Sequence, residues 1–105
     1  MDPITENRFY RTLNQIPKGK VSTYKAIAQV FKINPRFVGY LLKNNQYPDK
    51  YACYKIVKSD GTTGGYAGKY NNRDKIKKLR QDGIEIQGNR IKNFAKVLFV
   101  DFKIS

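Results

Sequence analysis

At 105 residues, of which 40% are apolar, the chain has room for one domain with a modest core. Lys and Arg number 21 against 8 Asp and Glu, and the formal net charge of +13 favours a polyanionic partner, most often nucleic acid. With no histidine and one cysteine, the sequence excludes a nitrogen-sulfur zinc site, a Ser-His-Asp or Cys-His catalytic pair and an internal disulfide.

Cap and proline signals divide the first half of the chain into three predicted helices. Asp2-Pro3 is typical of a helix start, and apolar residues at helical spacing extend the first helix over residues 3–16. Ser22 or Thr23 caps the second helix, whose apolar face is formed by Ile27, Val30 and Phe31. Asn34-Pro35 begins the third, residues 36–43, whose inward face is formed by Val38, Leu41 and Leu42. Two short helices joined by a tight turn indicate a helix-turn-helix.

Smaller elements are predicted after residue 53. Residues 54–57 are β-prone and the turn Ser59-Asp60-Gly61 follows them, so we expect a small hairpin or wing. Residues 71–81 predict a basic helix that Gly83 ends, with Ile76 and Leu79 facing the core.

The last part of the chain predicts β structure. Residues 84–86 and 90–92 flank the turn Gln87-Gly88-Asn89 and read as a hairpin. Apolar residues alternate over 96–104, which predicts a terminal strand. The expected fold is therefore mostly α with small β elements, a winged helix-turn-helix-like DNA-binding domain that spans residues 1–105.

Seven short motifs follow one another in a specific order along the chain. They are Ile16-Pro17-Lys18-Gly19, Thr23-Tyr24, Arg36-Phe37-Val38-Gly39, Asn45, Ala52-Cys53-Tyr54-Lys55-Ile56, Gly64-Gly65-Tyr66-Ala67-Gly68 and Asp82-Gly83. By these motifs and their order, the chain resembles the catalytic domain of the O6-alkylguanine-DNA alkyltransferases from about residue 8 to residue 83. The lone Cys53, which by itself is as easily a buried structural residue, then corresponds to the cysteine that accepts the alkyl group.

Three departures from the family pattern surround this cysteine. Ala52 stands where the family has Pro, Tyr54 where it has His, and Lys55 where it has Arg. The family His accepts the thiol proton through a water, and a phenol with a reference pKa near 10 is a poor replacement. The usual N-terminal domain of the family has no counterpart in the sequence.

The resemblance assigns site residues in three groups. Those implied for catalysis are Cys53, Tyr54, Asn45 and Asp82, with the Asp82 carboxylate accepting a hydrogen bond from the Tyr54 phenol as the family Glu does from His. Those implied for DNA binding are Thr23, Tyr24, Arg36, Gly39 and Lys43, with Arg36 filling the stack that a flipped base vacates. Those implied for the base pocket are Leu42, Ile56, Gly65, Tyr66 and Ala67. If its segment is extended, Lys55 points the same way as Cys53 and adds positive potential there.

The expected function is a single-turnover DNA repair methyltransferase that flips O6-alkylguanine out of double-stranded DNA and transfers the alkyl group to Cys53. The alternative is an alkyltransferase-like lesion binder that flips the base without transfer; the Cys53 thiol argues against it and the missing His for it. A winged-helix transcription factor is a third interpretation, which needs neither Cys53 nor the glycine-rich loop. We expect no cofactor or metal, no membrane partner, a monomer, and a cytoplasmic protein that is nucleoid-associated in a prokaryote.

Overall fold

A computed structural model describes residues 3–45, 50–64 and 72–103, and within these ranges the chain is mostly helical with two small sheets. The helices are α1 (Pro3–Leu13), α2 (Tyr24–Phe31), α3 (Pro35–Lys43), α4 (Asn72–Gln81) and α5 (Phe94–Val97), with a 3-10 turn at Cys53–Lys55. The strands are β1 (Ser22–Thr23), β2 (Ile56–Val57), β3 (Ile86–Gln87) and β4 (Arg90–Ile91). These elements confirm the predicted fold class. Across the described ranges, no helix has the length and apolarity that a membrane span requires.

The helix-turn-helix is formed by α2 and α3, and local cap residues define its turn. The Thr23 hydroxyl accepts a hydrogen bond from the Ala26 N–H at 3.0 Å and so begins α2. Lys32 adopts the left-handed conformation that ends α2, and the Asn34 side chain accepts from the Arg36 N–H at 2.8 Å at the start of α3. The inward face of α3 is the predicted one, formed by Val38, Leu41 and Leu42.

A parallel pairing of β1 with β2 brings the start of the helix-turn-helix beside the segment that holds Cys53. Ser22 pairs with Ile56 and Thr23 with Val57. A parallel pair needs a long crossover, which here is the helix-turn-helix itself. Only the last two residues of the predicted β-prone segment 54–57 are a strand, because Cys53–Lys55 forms the 3-10 turn instead.

Two hydrophobic clusters meet at β2. Successive residues of this strand face opposite ways, so Ile56 joins one cluster and Val57 the other. The first cluster is built by α1, α2 and α3 and contains Cys53. The second cluster contains Val21, Val57, Leu79, Ile84 and Ile91 and packs α4 and the C-terminal hairpin against β1 and β2.

The second half of the chain confirms two predicted turns. Lys58 N–H donates to the Thr62 carbonyl at 2.9 Å across the turn at Gly61, whose φ is +88°. Thr62 then bridges antiparallel to Arg90 in β4, so the turn joins the predicted hairpin of β3 and β4 and does not form a separate wing. The positive φ of Gly83, +93°, lets the chain turn after α4 as predicted.

Two predicted helices also differ in part from the structure. The first helix ends at Leu13, three residues early, because residues 14–16 turn back through hydrogen bonds to residues 11–13. On α4, Leu79 faces the core as predicted, but Ile76 is only half-buried. The second inward position is occupied by Lys75, four residues before Leu79.

The predicted terminal strand over 96–104 is also wrong, in the part that the structure describes. Phe94–Val97 is the short helix α5, and Leu98 makes only an isolated bridge with Val21. Alternation of apolar residues produces a strand only where a neighbouring strand pairs along its length, and here the pairing is limited to the single bridge between Leu98 and Val21. Val100, which the alternation would have buried, is 52% exposed.

Candidate active site

Cys53 lies at the first position of the 3-10 turn and is 2% exposed. Its backbone N–H donates to the Tyr51 carbonyl at 2.8 Å. The same carbonyl accepts from the Asn45 side-chain amide at 3.2 Å. A second tie joins the Ala52 N–H to the Asn14 side-chain oxygen at 3.2 Å. Asn45, 8% exposed, therefore holds the backbone that carries the cysteine.

Lys75 is a buried amine beside this segment that the sequence interpretation missed. It is 1% exposed, and its Nζ donates to the Ile56 carbonyl at 2.6 Å. The Nζ also lies 5.8 Å from the centroid of the Tyr24 ring. Burial lowers the pKa of Lys75 from 10.5 to about 7, against the opposing pull of a Cys53 thiolate. The signal that could have revealed it is its spacing of four residues from Leu79, on the inward face of α4.

Tyr24 brings a phenol to the same place. Its ring packs against the first hydrophobic cluster and is half-buried. Burial, followed by the charge of Cys53, raises the pKa of the Tyr24 phenol, so it keeps its proton at neutral pH. The hydroxyl oxygen lies 3.7 Å from where a Cβ on Gly64 would stand. Tyr24 thus sits between Cys53 and the start of the glycine-rich segment, a position that the assigned role at DNA does not by itself require.

The predicted hydrogen bond from Tyr54 to Asp82 is wrong. The Asp82 carboxylate instead pairs with Lys55 Nζ at 3.2 Å and accepts from the Gly19 N–H at 2.8 Å. An ammonium is the stronger partner for a carboxylate, so it displaces the phenol from this position. Burial, then the charges of Asp82 and Cys53, raises the pKa of the Tyr54 phenol, which is therefore a hydrogen-bond donor and not a base.

Lys55 does not point with Cys53, as an extended segment would have required. The 3-10 turn instead directs the Lys55 side chain toward the segment that follows α1. There its Nζ donates to the carbonyls of Ile16 and Pro17 at 3.2 and 3.0 Å. Together with the Asp82 pair, these bonds make Lys55, 5% exposed, a clamp between the turn after α1 and the end of α4. The clamp joins three of the sequence motifs and explains why they occur together.

The outer face of α3 carries the residues assigned to DNA. Arg36, Gly39 and Lys43 recur at helical spacing, and both charged side chains are exposed. Tyr40 also lies on this face, 60% exposed and stacked on Phe37 at 5.7 Å between ring centroids. Its spacing of four residues from Arg36 could have identified it from sequence. Thr23 is different, because it is only 6% exposed and its hydroxyl serves as the α2 cap.

The assigned base pocket is described only in part. Leu42 and Ile56 are buried at 5% and 0% exposure in the cluster that contains Cys53. The other three assigned residues, Gly65, Tyr66 and Ala67, lie outside the described residues. Leu42 and Ile56 therefore share one apolar cluster with the thiol, and their role in a base pocket stays a prediction.

A protein-family model matches this chain. The model described as "6-O-methylguanine DNA methyltransferase, DNA binding domain" matches residues 5–84, most of the chain. The chain belongs to this family. Its cysteine, α3 and the clamp all lie within the matched range.

Curated relatives of the family are longer than this chain. A "Bifunctional methyltransferase/endonuclease" of Thermoplasma volcanium is 41% identical over 96 residues, which are 90% of this chain and 30% of that protein. A "Methylated-DNA--protein-cysteine methyltransferase" of Pyrobaculum aerophilum is 40% identical over 76 residues, which are 72% of this chain and 50% of that protein. The chain thus spans between about a third and a half of these relatives.

Solved structures of the family share the fold. S. pombe Atl1, in complex with damaged DNA containing O6-carboxymethylguanine, matches with a TM-score of 0.80 at 23% identity over 94% of this chain and 97% of its own. The O6-methylguanine-DNA methyltransferase of Pyrococcus kodakaraensis matches with a TM-score of 0.70 at 30% identity over 80% of this chain and 48% of its own.

Proposed function

We propose that this chain repairs O6-alkylguanine in double-stranded DNA by transferring the alkyl group to Cys53, once per molecule. The observation that carries the proposal is the grouping of a thiol, a buried amine and a protonated phenol in one family fold. Cys53, Lys75 and Tyr24 come from the 3-10 turn, α4 and α2, respectively. Helix α4 packs against the 3-10 turn, and Lys75 Nζ lies 5.8 Å from the centroid of the Tyr24 ring. A protein that only bound DNA would need neither the thiol nor the buried amine there.

The outer face of α3 supports the DNA-binding part of the proposal. Its exposed Arg36, Tyr40 and Lys43 surround Gly39, and a net charge of +13 favours the phosphate backbone. A target carbon inside a duplex is out of reach until its nucleotide leaves the stack, which costs a few kcal/mol. In our proposal, Arg36 at the N-terminal end of α3 fills the space that the flipped nucleotide leaves in the base stack.

The reaction is a displacement at the alkyl carbon. The Cys53 thiolate forms a C–S bond as the bond from that carbon to guanine O6 breaks, and the electron pair of that bond stays on the guanine. A proton then neutralises the guanine, and the protonated phenol of Tyr24 is a donor beside the thiol for this charge. The product is a thioether, which cannot be converted back to a thiol by any residue of the site, so one molecule reacts once.

A lesion binder without transfer is the second candidate. The fold match with Atl1 bound to damaged DNA covers nearly the whole chain, and Tyr54 stands in place of the family His. The raised pKa of Tyr54 removes this residue as a base. The two candidates differ in whether the lesion loses its alkyl group.

The deciding experiment incubates the protein with a duplex that carries one O6-methylguanine. Wild type should gain the mass of one methyl group, and the DNA strand should lose it. Cys53→Ser should bind the same duplex and gain no mass. A stable complex in which wild-type protein and DNA both keep their starting masses would establish the binder instead.

A further inference from the structure

We propose that the amine of Lys75 accepts the proton of the Cys53 thiol and then balances the charge of the thiolate. The proposal rests on the proposed transfer to Cys53 and names the group that makes this transfer possible in a chain without histidine. Neither Tyr54 nor Lys55, the residues that follow the cysteine, can do this from the positions they occupy.

The position of Lys75 is built by two elements that converge on the cysteine. Helix α4 packs against the 3-10 turn that begins with Cys53, and Lys75 projects from α4 into the interior. The hydrogen bond of 2.6 Å from its Nζ to the Ile56 carbonyl fixes the amine at the end of this turn. Ile56 follows Cys53 by three residues in the chain. A lysine side chain is rarely buried unless a partner or a function holds it there.

The surroundings of Lys75 favour its neutral form until a thiolate appears. Burial is the main cause that brings its pKa to about 7, and the nearby Lys58 ammonium lowers it further. The Cys53 thiolate acts in the opposite direction. On its other side stands the Tyr24 ring, whose phenol keeps its proton. A substantial fraction of Lys75 is therefore unprotonated at neutral pH and can take a proton, whereas an exposed lysine cannot.

The other candidates next to the cysteine are occupied. Lys55 holds Asp82 and the carbonyls of Ile16 and Pro17. The Tyr54 phenol keeps its proton because its pKa is raised. Lys75 is the basic group beside the 3-10 turn whose pKa, lowered to about 7, lets it take up a proton near neutral pH.

The step balances without any added reagent. The S–H bond of Cys53 breaks, its proton joins the lone pair of the Lys75 amine, and a thiolate and an ammonium result. The thiolate attacks the alkyl carbon, and the electron pair of the broken C–O bond passes to the guanine. The proton held by Lys75 is returned to the guanine directly or through Tyr24, so the amine ends neutral and the guanine ends as the ordinary base.

The test is a titration of the thiolate by its ultraviolet absorbance, without DNA. Cys53 is the single cysteine, so subtraction of the Cys53→Ser spectrum removes the tyrosine contribution. The variant is Lys75→Met, which keeps the length of the side chain and removes the amine. Lys77→Met is the matched control, since Lys77 is exposed on the same helix.

We expect the midpoint of the thiolate titration to rise by about one pH unit or more in Lys75→Met, a tenfold loss of thiolate at neutral pH, and to stay unchanged in Lys77→Met. The rate of methyl transfer near pH 7 should fall in the same ratio and recover as the pH rises. Coinciding titrations of wild type and Lys75→Met would overturn the proposal.

A second variant covers the case in which Lys75→Met does not fold. Lys75→Arg keeps a positive charge that cannot be removed at these pH values. Its Cys53 thiolate should persist to lower pH than in wild type, and a titration like that of free cysteine, near 8.5, would overturn the proposal. Failure of the proposed function has a different signature: wild type would not acquire a methyl group at any pH, while the thiolate titration would still depend on Lys75.

Discussion

Gly39→Ala separates what the fold needs from what the proposed DNA contact needs. A Cβ added at Gly39 meets nothing within 4 Å, so the folded protein does not require glycine there. Alanine in a helix interior is more stable than glycine by about 0.5–1 kcal/mol. For a chain of this size, each kcal/mol raises the melting temperature by roughly 4–8 °C. The variant should therefore melt several degrees higher than wild type.

Binding to DNA should change in the opposite direction. Gly39 lies between Arg36 and Lys43 on the outer face of α3, so a methyl group there would hold the helix backbone away from the groove. We expect the affinity for a duplex with O6-methylguanine to fall about tenfold, which corresponds to ~1.4 kcal/mol. Fluorescence anisotropy with labelled duplex measures this at a fixed salt concentration.

The control is Gln81→Ala, an uncharged exchange at an exposed residue of α4. It should leave the affinity for DNA unchanged. If Gly39→Ala raises the melting temperature and binds DNA as well as wild type, α3 does not approach DNA through this face. If both stability and affinity fall, the open space that we describe beside Gly39 is not there.

Three further predictions concern the clamp, the buried amine and the flipped base. Lys55→Met should lower the free energy of unfolding by about 3–5 kcal/mol, because it leaves the Asp82 carboxylate without its cation. Lys77→Met should leave this free energy unchanged. Equal urea midpoints for wild type and Lys55→Met would contradict the clamp. Because folding lowers the pKa of Lys75, the unfolded chain binds more protons between about pH 7 and 10, so stability should rise with pH there by up to ~1.4 kcal/mol per unit. Urea unfolding in a Cys53→Ser background should show this rise, and adding Lys75→Met should abolish it; a slope that survives would place the titration on another group. Arg36→Ala should slow transfer from duplex much more than from free O6-benzylguanine, and Arg36→Lys should not restore it, since an ammonium has no planar face to fill the stack; equal loss with both substrates would remove Arg36 from flipping.

Local signals in the sequence were sufficient for the helix-turn-helix. Thr23 and Asn34 are short polar residues whose side chains bond the next backbone N–H groups, so a few neighbouring residues determine where α2 and α3 begin. The family resemblance then placed Cys53 and Asn45 in one segment, and the structure joins them through the Tyr51 carbonyl.

The contacts around the cysteine depend on distant parts of the chain and could not be predicted from the segment alone. An extended strand and a 3-10 turn send Lys55 in opposite directions, and the choice is made by contacts with Ile16, Pro17 and Asp82. The position of Lys75 is hard to predict for a related reason. The inward face of a helix is predicted from its apolar residues, so a buried lysine does not fit the pattern. Lys75 can be buried because its Nζ has a hydrogen-bond acceptor in the Ile56 carbonyl, which a distant part of the chain provides.

The most direct test of alkyl transfer to Cys53 follows a labelled methyl group from DNA to protein. A duplex whose single O6-methylguanine carries a deuterated methyl is incubated with excess protein, and the digested protein is sequenced by tandem mass spectrometry. We expect one deuterated methyl per lesion, on the peptide that contains Cys53, and unmodified guanine in the strand. Label that remains on the DNA, or that is found on any other residue, would contradict it.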